Sequence, residues 1–293
     1  MEIIRTIAWM KEMARRARSE NRIIGLVPTM GALHEGHSSL IAKARQACSP
    51  LFASIFVNPK QFGPNEDFGK YPRTFESDCE KLKCAGVDAL FAPEAAEIYP
   101  KDFSTYVHVE GLSERLEGKS RPGHFRGVTT VVMKLLQIVQ PDRAYFGRKD
   151  AQQARLISQM ARDLNLDSEI VVCPIVREPD GLALSSRNVY LNLQERKAAA
   201  VLYHALQAAK KELEAGSRNA LHLQATLRRK LDSEPLAVVD YAETVDAESF
   251  EPVMRVNRAC YVLLAVFIGK IRLIDNLYME PKSSGSEEFV FHL

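Results

Sequence analysis

Short apolar runs alternate with helix-like segments through the first half of the chain. The apolar runs predict strands, and they are IIGLVPT, LFASIFVNP, VDALFAP, RAYFG and EIVVCPIV. The intervening segments have apolar positions at helical spacing, and they are SSLIAKARQAC, FESDCEKLKCAG, GVTTVVMKLLQIVQP and AQQARLISQMARDLN. This alternation predicts right-handed βαβ crossovers and a mainly parallel sheet. Nearly continuous apolar runs such as IIGLV and EIVVCPIV are typical of strands buried on both faces.

The pattern changes near residue 177, where the turn-rich loop REPDGLALSSRN precedes two long helical segments. Strand-like runs then return in VVDYAETVD and YVLLAVFIGKIRLID. We therefore expect an α/β fold with two domains. Residues 1–176 would form a Rossmann-like, doubly wound, mainly parallel sheet, and residues 177–276 a smaller α+β domain that acts as a lid. Residues 277–293 are set apart as a polar tail with apolar ends.

The composition of the chain indicates which binding partners and which cellular compartment to expect. The 293 residues carry a net charge of +2, which argues against a broad nucleic-acid surface. The start, MEIIRTIAWMKEM, lacks the long apolar core of a signal peptide, and no run reaches the roughly 18 apolar residues of a membrane span. Five scattered cysteines without a CxxC pair indicate reduced thiols rather than a zinc ribbon. We therefore expect a cytoplasmic protein without nucleic-acid or membrane partners.

Three polar segments, PTMGALHEGH, VNPKQF and FGRKDAQQ, directly follow predicted strands. Open parallel sheets bind ligands beyond the carboxyl ends of their strands. In the first segment a glycine turn lets the backbone approach a ligand, and a helix beginning near Gly36 would direct its N–H groups and positive dipole end at it. His34 and His37 would add hydrogen-bond donors. The combination predicts a phosphate site suited to nucleotidyl transfer, where charge builds on phosphate oxygens.

These residues alone are also compatible with purely structural roles. The i, i+3 spacing of His34 and His37, with no third ligand nearby, disfavours a metal site, but the two histidines could simply cap a helix start. In ALSSRN two hydroxyls and a guanidinium could wrap a triphosphate or form an ordinary turn. Lys149 and Asp150 could bind phosphate and ribose or be solvated surface, and Gln61 could belong to a turn.

Taken together, VPTMGALHEGH, VNPKQF, RPGHFRGV, YFGRKDAQQ and LSSRN resemble the pantothenate synthetase (pantoate–β-alanine ligase) family in order and approximate spacing. The resemblance extends from about residue 1 to Asn276, and the histidine element is shared by the wider HxGH nucleotidylyltransferase superfamily. It implies ATP-dependent condensation of pantoate with β-alanine to pantothenate through a pantoyl adenylate, releasing AMP and pyrophosphate. It also implies Mg²⁺ accompanying ATP as substrate, and a homodimer.

The resemblance carries roles over to individual positions. His37 matches a residue described as a proton donor, His34 its partner on the phosphates, and Lys149 a phosphate ligand. Physically, positioning and charge stabilisation are enough for such a transfer. Asp150 would lie near the ribose, and Val176 would contact adenine through its backbone. The residues implied for ATP are Met30, Gly31, Ala32, Leu33, His34, Glu35, Gly36, His37, Gly147, Arg148, Lys149, Asp150, Val176, Leu184, Ser185, Ser186 and Arg187.

Two glutamines match the substrate end of the family site. Gln61 and Gln153 would bind pantoate, and Gln61 is also expected near β-alanine. Leu184 stands where many members have methionine, a change of similar volume. Arg148 stands at a position that is often glutamate, where its charge could tighten phosphate binding or point to solvent.

Two other functions are compatible with part of the pattern. One is a nucleotidylyltransferase that moves AMP onto a phosphate ester. Binding such an acceptor would require more arginine or lysine where the chain has Gln61 and Gln153. The other is a catalytically silent adenylate sensor, which would need the fold but not both histidines. For an enzyme, the ALSSRN loop should close when ATP binds.

Overall fold

The computed structural model describes residues 1–64, 66–283, 286 and 288–293. The chain forms two compact units. The first comprises Met1–Arg148 and Gln152–Cys173, and the second comprises Lys149–Ala151 and Pro174–Leu293. In the described part of the chain, no helix is both long enough and apolar enough to span a bilayer.

The first unit is built on a six-stranded sheet in which all neighbouring strands are parallel. Its strands are β1 (Glu2–Ile4), β2 (Gly25–Thr29), β3 (Leu51–Ile55), β4 (Ala89–Phe91), β5 (Arg143–Gly147) and β6 (Glu169–Cys173). The spatial order is β1-β4-β3-β2-β5-β6, so the strand order reverses between β2 and β5. Open α/β sheets bind their ligands at such reversal points. The predicted doubly wound parallel fold is confirmed.

Helices cover both faces of this sheet. The helices in this half of the chain are α1 (Ile7–Ser19), α2 (Glu35–Arg45), α3 (Phe75–Cys84), α4 (Ala95–Ile98), α5 (Glu117–Ser120), α6 (His124–Val139) and α7 (Ala151–Asp163). Alternate strand residues enter different cores because successive side chains point to opposite faces. Leu26 and Phe52 pack with α1, α6 and α7 in one core, whereas Val27 and Ala53 pack with α2 and α3 in the other.

The strands and helices predicted for this half of the chain are all present, with one correction. The prediction that EIVVCPIV is buried on both faces is wrong, because β6 is an edge strand whose first residue, Glu169, is exposed. Strand β1 was not predicted, since a strand of three residues is too short for a periodicity signal. Helix α1 was missed although Met10, Ala14 and Ala17 are buried at helical spacing.

The second unit is a four-stranded antiparallel sheet covered by helices. Its strands are β7 (Ala237–Asp246), β8 (Cys260–Ile268), β9 (Ile271–Pro281) and β10 (Phe289–His292), in the order β10-β9-β8-β7. Its helices are α8 (Leu193–Ala198), α9 (Val201–Glu214) and α10 (Ala220–Leu231). Alternate residues of β8, such as Val262 and Leu264, pack with Leu206 and Leu227 of the helices. The predicted α+β architecture of this half is confirmed.

Part of the stretch set apart as a tail belongs to this sheet. Leu277 and Met279 lie on β9 and are fully buried, and Phe289 on β10 joins the same core. β10 pairs antiparallel with β9. The predicted boundary after Asn276 falls within β9, because it was placed where the family resemblance ends. Residues 284, 285 and 287, also assigned to the tail, lie outside the described residues.

Candidate active site

The loops that carry most of the predicted site residues begin at neighbouring strand ends. β3, β2 and β5 are adjacent and parallel, so their carboxyl ends lie at one edge of the sheet. β2 pairs with β3 along all five residues but with β5 through Gly25 and Leu26 at its start. The loop after β2 therefore leaves the sheet where the strand order reverses.

The predicted residues are divided between the two units. The first unit contains Met30, Gly31, Ala32, Leu33, His34, Glu35, Gly36, His37, Gln61, Gly147, Arg148 and Gln153. The second unit contains Lys149, Asp150, Val176, Leu184, Ser185, Ser186 and Arg187.

The turn after β2 contains two residues in the left-handed region, Gly31 at φ 82° and Ala32 at φ 51°. A Cβ on Gly31 would lie 3.1 Å from Oδ2 of Asp78 and 3.2 Å from Cγ2 of Ile55, in a backbone conformation that already favours glycine. Alanine rarely adopts the left-handed conformation, so Ala32 needs support from its surroundings.

Helix α3 supplies that support through Asp78, which is only 1% exposed. Its carboxylate accepts the N–H groups of Ala32 and Leu33, each at 2.8 Å, and the hydroxyl of Thr74 at 3.1 Å. Lys81 on the same helix donates to the carbonyl of Leu33 at 2.6 Å. One turn of α3 therefore holds the backbone of the loop that leads into the two histidines.

The two histidines cap the start of α2 reciprocally. His34 precedes the helix, and its Nδ1 accepts the N–H of Gly36 at 3.2 Å. The Nδ1 of His37 accepts the N–H of His34 at 3.3 Å. Because each Nδ1 accepts a hydrogen, the neutral form of each ring carries its proton on Nε2. Both half-buried imidazoles are therefore oriented by the backbone through one nitrogen and are donors through the other.

The side chain of Gln61 is held in one orientation. Gln61 is 8% exposed and ends a short 3-10 helix, Pro59–Gln61, that follows β3. Its Oε1 accepts from Nδ2 of Asn58 at 3.0 Å, and its Nε2 lies 3.2 Å from Sδ of Met30. Asn58 in turn accepts the hydroxyl of Tyr99 at 2.8 Å. Since burial raises the pKa of Tyr99, this phenol stays a neutral donor.

The backbone of Gln61 is held by a buried histidine of α6. Nδ1 of His124 lies 2.9 Å from the carbonyl oxygen of Gln61, and its Nε2 lies 3.1 Å from Nη1 of Arg121. Arginine has no acceptor, so Nε2 accepts and Nδ1 carries the hydrogen. Burial, aided by Arg121, lowers the pKa of His124 from 6.5 to about 4, so the ring is neutral near pH 7. Glu66 orients Arg121 through two contacts of 2.7 Å.

A close approach of α6 to this 3-10 helix completes the arrangement. A Cβ on Gly127 would lie 2.2 Å from the carbonyl oxygen of Lys60 and 2.6 Å from the amide nitrogen of Gln61. Nδ2 of Asn58 also donates to the carbonyl of Gly127 at 3.1 Å. Only glycine allows this spacing, which places the helix directly against the backbone of Gln61.

The two consecutive glutamines of α7 have different surroundings. Gln152 is 4% exposed, and its amide group bonds to the backbone of Leu112, Arg115 and Glu117 at 2.8–3.1 Å. Gln153, the predicted pantoate ligand, is half-buried. The buried structural role in this pair thus belongs to Gln152, a residue to which no role was assigned from sequence.

In the second unit, Val176 and Leu184 face each other across a tight hairpin. The N–H of Leu184 donates to the carbonyl of Val176 at 3.0 Å, and the N–H of Glu178 donates to the carbonyl of Leu182 at 2.8 Å. Ser185 then caps the 3-10 helix Ser186–Tyr190. Its Oγ accepts the N–H of Arg187 at 3.2 Å. The predicted loop is therefore an ordered hairpin and cap, and its predicted site residues are half-buried.

Comparison with known proteins decides the family. The family model for pantoate-beta-alanine ligase matches residues 2–278. The chain belongs to the pantoate-beta-alanine ligase family. The match spans both units, and the resemblance inferred from sequence is confirmed.

Curated and solved relatives agree over almost the whole chain. The chain is 52% identical to the pantothenate synthetase of Caldicellulosiruptor bescii, a match covering 96% of this chain and 100% of that protein. It is 53% identical to that of Heliobacterium modesticaldum, with the same coverage. The crystal structure of the Thermus thermophilus pantothenate synthetase superposes with a TM-score of 0.90 at 44% identity, covering 94% of this chain and 98% of the other.

A further member of the pantoate-beta-alanine ligase family has been crystallised with ligands. The Francisella tularensis pantoate-beta-alanine ligase, described as complexed with beta-gamma ATP and beta-alanine, is 38% identical to this chain. It superposes with a TM-score of 0.78 over 94% of this chain and 97% of its own.

Proposed function

We propose that this protein condenses pantoate with β-alanine to pantothenate at the expense of ATP, releasing AMP and pyrophosphate. The observation that supports the proposal is the reciprocal capping by His34 and His37, which orients both rings through Nδ1 in the loop that leaves the sheet where the strand order reverses. Membership of the pantoate-beta-alanine ligase family names the substrates. The ligands named for the Francisella tularensis relative support the same choice.

In the first step, a carboxylate oxygen of pantoate attacks the α-phosphorus of ATP. A P–O bond forms to the carboxylate, the bond to the β-phosphate oxygen breaks, and pyrophosphate leaves with its electron pair. Negative charge grows on the phosphate oxygens, where the positive dipole end of α2 and the Nε2–H donors of His34 and His37 stabilise it. Lys149 adds a positive charge that binds the phosphates.

In the second step, the β-alanine amine attacks the carbonyl carbon of pantoyl adenylate. The C–O bond to AMP breaks, and the nitrogen loses a proton as the amide forms. Gln61 and Gln153 hold the pantoyl group. Because Asn58 donates to Oε1 of Gln61, the Nε2 of Gln61 is the end of the amide that would donate to pantoate.

The family resemblance supplies the other contacts expected for the nucleotide. The loop Met30–His37, with Gly147 and Arg148, would line the ATP site. Asp150 would accept ribose hydroxyls, and Val176 would contact adenine through its backbone. The hairpin and cap carrying Leu184, Ser185, Ser186 and Arg187 would close over the triphosphate.

Magnesium would enter with the nucleotide as MgATP. Among the described residues, no group of three or more His, Cys, Asp and Glu side chains is placed to hold a metal ion. Mg²⁺ commonly keeps several waters and binds through substrate phosphates, which suits such a site.

We also propose a cytoplasmic homodimer. All five cysteines are free thiols, as suits a reducing compartment. Burial raises the pKa of Cys173 and raises that of Cys260 to about 11, which keeps both thiols protonated and unreactive. The dimer rests on the family resemblance.

The proposal is tested by separating the two half-reactions. With saturating MgATP, pyrophosphate release should require pantoate and no β-alanine, and AMP release should then require β-alanine. A matched assay with phosphopantetheine or nicotinamide mononucleotide in place of pantoate should give no turnover. Absence of pantoate-dependent pyrophosphate release would overturn the proposed function, and turnover with a phosphate ester would favour AMP transfer to that ester.

A further inference from the structure

Two consecutive polar residues of β9, Asp275 and Asn276, are almost completely buried, at 2% and 0% exposure. Neither residue was assigned a role from sequence. Neighbouring residues on a strand point to opposite faces of the sheet, so the two side chains serve different surroundings. Asp275 lies on the face that carries Leu273 and Leu277 into the helix-covered core. A buried carboxylate and a buried amide both need partners, and those partners show what the pair does.

Asp275 holds the start of the predicted nucleotide loop. Its carboxylate accepts from both Nη atoms of Arg177, at 2.6 and 3.0 Å. Arg177 also donates to the carbonyl of Gly181 at 3.0 Å, and its guanidinium lies over the ring of Tyr203 at 4.9 Å. Arg177 follows Val176 directly and so joins the hairpin that carries Leu184. The ion pair therefore fixes this hairpin to β9.

Asn276 holds the second predicted nucleotide segment. Its Nδ2 donates to the backbone carbonyl of Lys149 at 3.1 Å, and its own N–H donates to Oδ1 of Asp275 at 2.8 Å. The contacts thus run continuously from the backbone of Lys149 through Asn276 and Asp275 to Arg177. Both segments that the second unit would offer to the nucleotide are attached to the same two residues.

We propose that Asp275 and Asn276 are positioning residues for ATP, which set the spacing between the phosphate-binding lysine and the adenine- and triphosphate-binding hairpin. They act through the backbone of Lys149 and through Arg177, and they do not touch pantoate. This inference rests on the proposed function, because it takes ATP as the ligand. It predicts an effect on nucleotide binding that is separable from substrate binding and from overall stability.

The test compares Asn276→Leu, which keeps the side-chain volume but removes the donor to Lys149, with Asp240→Asn. Asp240 accepts from Arg272 of β9 at 2.6 and 3.0 Å, so its substitution weakens a polar side-chain contact of the same strand outside this network. For Asn276→Leu we expect the KM for ATP and the directly measured Kd for ATP to rise about 10-fold. The KM for pantoate should change less than about two-fold, and Asp240→Asn should leave all three constants near the parent values.

A second variant tests the inference in case Asn276→Leu does not fold. Asp275→Glu keeps the carboxylate but moves it by one methylene, and it should raise the Kd for ATP while hydrogen exchange at the amides of Glu178 and Leu184 becomes faster. Equal changes in the ATP and pantoate constants, or an unchanged Kd for ATP in both folded variants, would overturn the inference. If the parent protein itself fails to bind ATP, the proposed function has failed instead.

Discussion

The Nδ1 atom of His37 accepts the backbone N–H of His34 at 3.3 Å, and the two imidazole rings lie with centroids 4.2 Å apart. The capping interpretation and the phosphate interpretation of these histidines are therefore compatible, because they use different ring nitrogens. Capping engages Nδ1, and the hydrogen that this leaves on Nε2 is the one that would follow charge onto the phosphates.

Replacing His37 separates these two roles. His37→Asn keeps an acceptor near the position of Nδ1 but removes the Nε2 donor, whereas His37→Ala removes both. We expect both variants to lose roughly 100-fold or more in kcat for pantoate-dependent pyrophosphate release, as when one transition-state donor is removed. Thermal unfolding should show His37→Asn to be the more stable of the two. A His37→Asn variant with near-parental kcat would contradict the donor role.

Asp78 is expected to affect the same reaction without touching substrate. Asp78→Asn places an amide NH₂ against one of the two backbone N–H groups that the carboxylate accepts, and it should cost about 1–3 kcal/mol in the free energy of unfolding. Because the freed loop carries His34 and His37, kcat should fall as well. Glu76→Gln, an exposed change in the same helix, is the control and should alter neither quantity. Urea unfolding and steady-state kinetics on both variants test this prediction, and equal behaviour of the two would show that Asp78 does not support the loop.

Gly127→Ala should weaken pantoate binding. The new Cβ would lie 2.2 Å from the carbonyl of Lys60, so the 3-10 helix that carries Gln61 must move. Overpacking of this kind typically costs about 1–3 kcal/mol in stability. We also expect the KM for pantoate to rise more than the KM for ATP. Gly69→Ala, where an added Cβ meets nothing within 4 Å, is the control, and an unchanged KM for pantoate in Gly127→Ala would show that Gln61 does not depend on this contact.

His124 should make stability depend on pH in the acid range. Its pKa is lowered to about 4 in the folded protein, so the unfolded chain takes up a proton first as the pH falls below about 6.5. The free energy of unfolding should therefore drop by about 3 kcal/mol between pH 6.5 and 4, and this group should have no effect above that window. His124→Asn keeps a donor near Nδ1 and removes the titration. Urea unfolding at pH 7, 5.5 and 4.5 should show the parent losing stability faster than the variant, and parallel profiles would refute this account.

The fold was predictable because its elements carry strong local periodicity. Strand β2 and helix α2 are both evident in VPTMGALHEGHSSLI, and the glycine turn between them is by itself an indication of a ligand site. The alternation of such units over the first half of the chain is enough to predict a parallel sheet. The family resemblance then names the substrates.

The groups that orient the site were not predictable, because they act on distant backbone. Asp78 bonds to Leu33, which lies 45 residues away, and Asp275 bonds to Arg177 across 98 residues. One sequence signal was available for Asp78, since it lies four residues before Leu82 on the buried face of an amphipathic helix. His124 lies in RPGHFRGV, which contributed to the resemblance but carried no role, since nothing in the sequence shows that its ring faces the carbonyl of Gln61.

The most direct test of the proposed chemistry follows the oxygen of the pantoate carboxylate. Pantoate labelled with ¹⁸O in its carboxylate is incubated with MgATP, β-alanine and the enzyme, and the AMP is analysed by mass spectrometry. If the carboxylate attacks the α-phosphorus, the AMP acquires one labelled oxygen for each pantothenate formed. Unlabelled AMP, or labelled inorganic phosphate accompanied by ADP, would contradict the acyl-adenylate route.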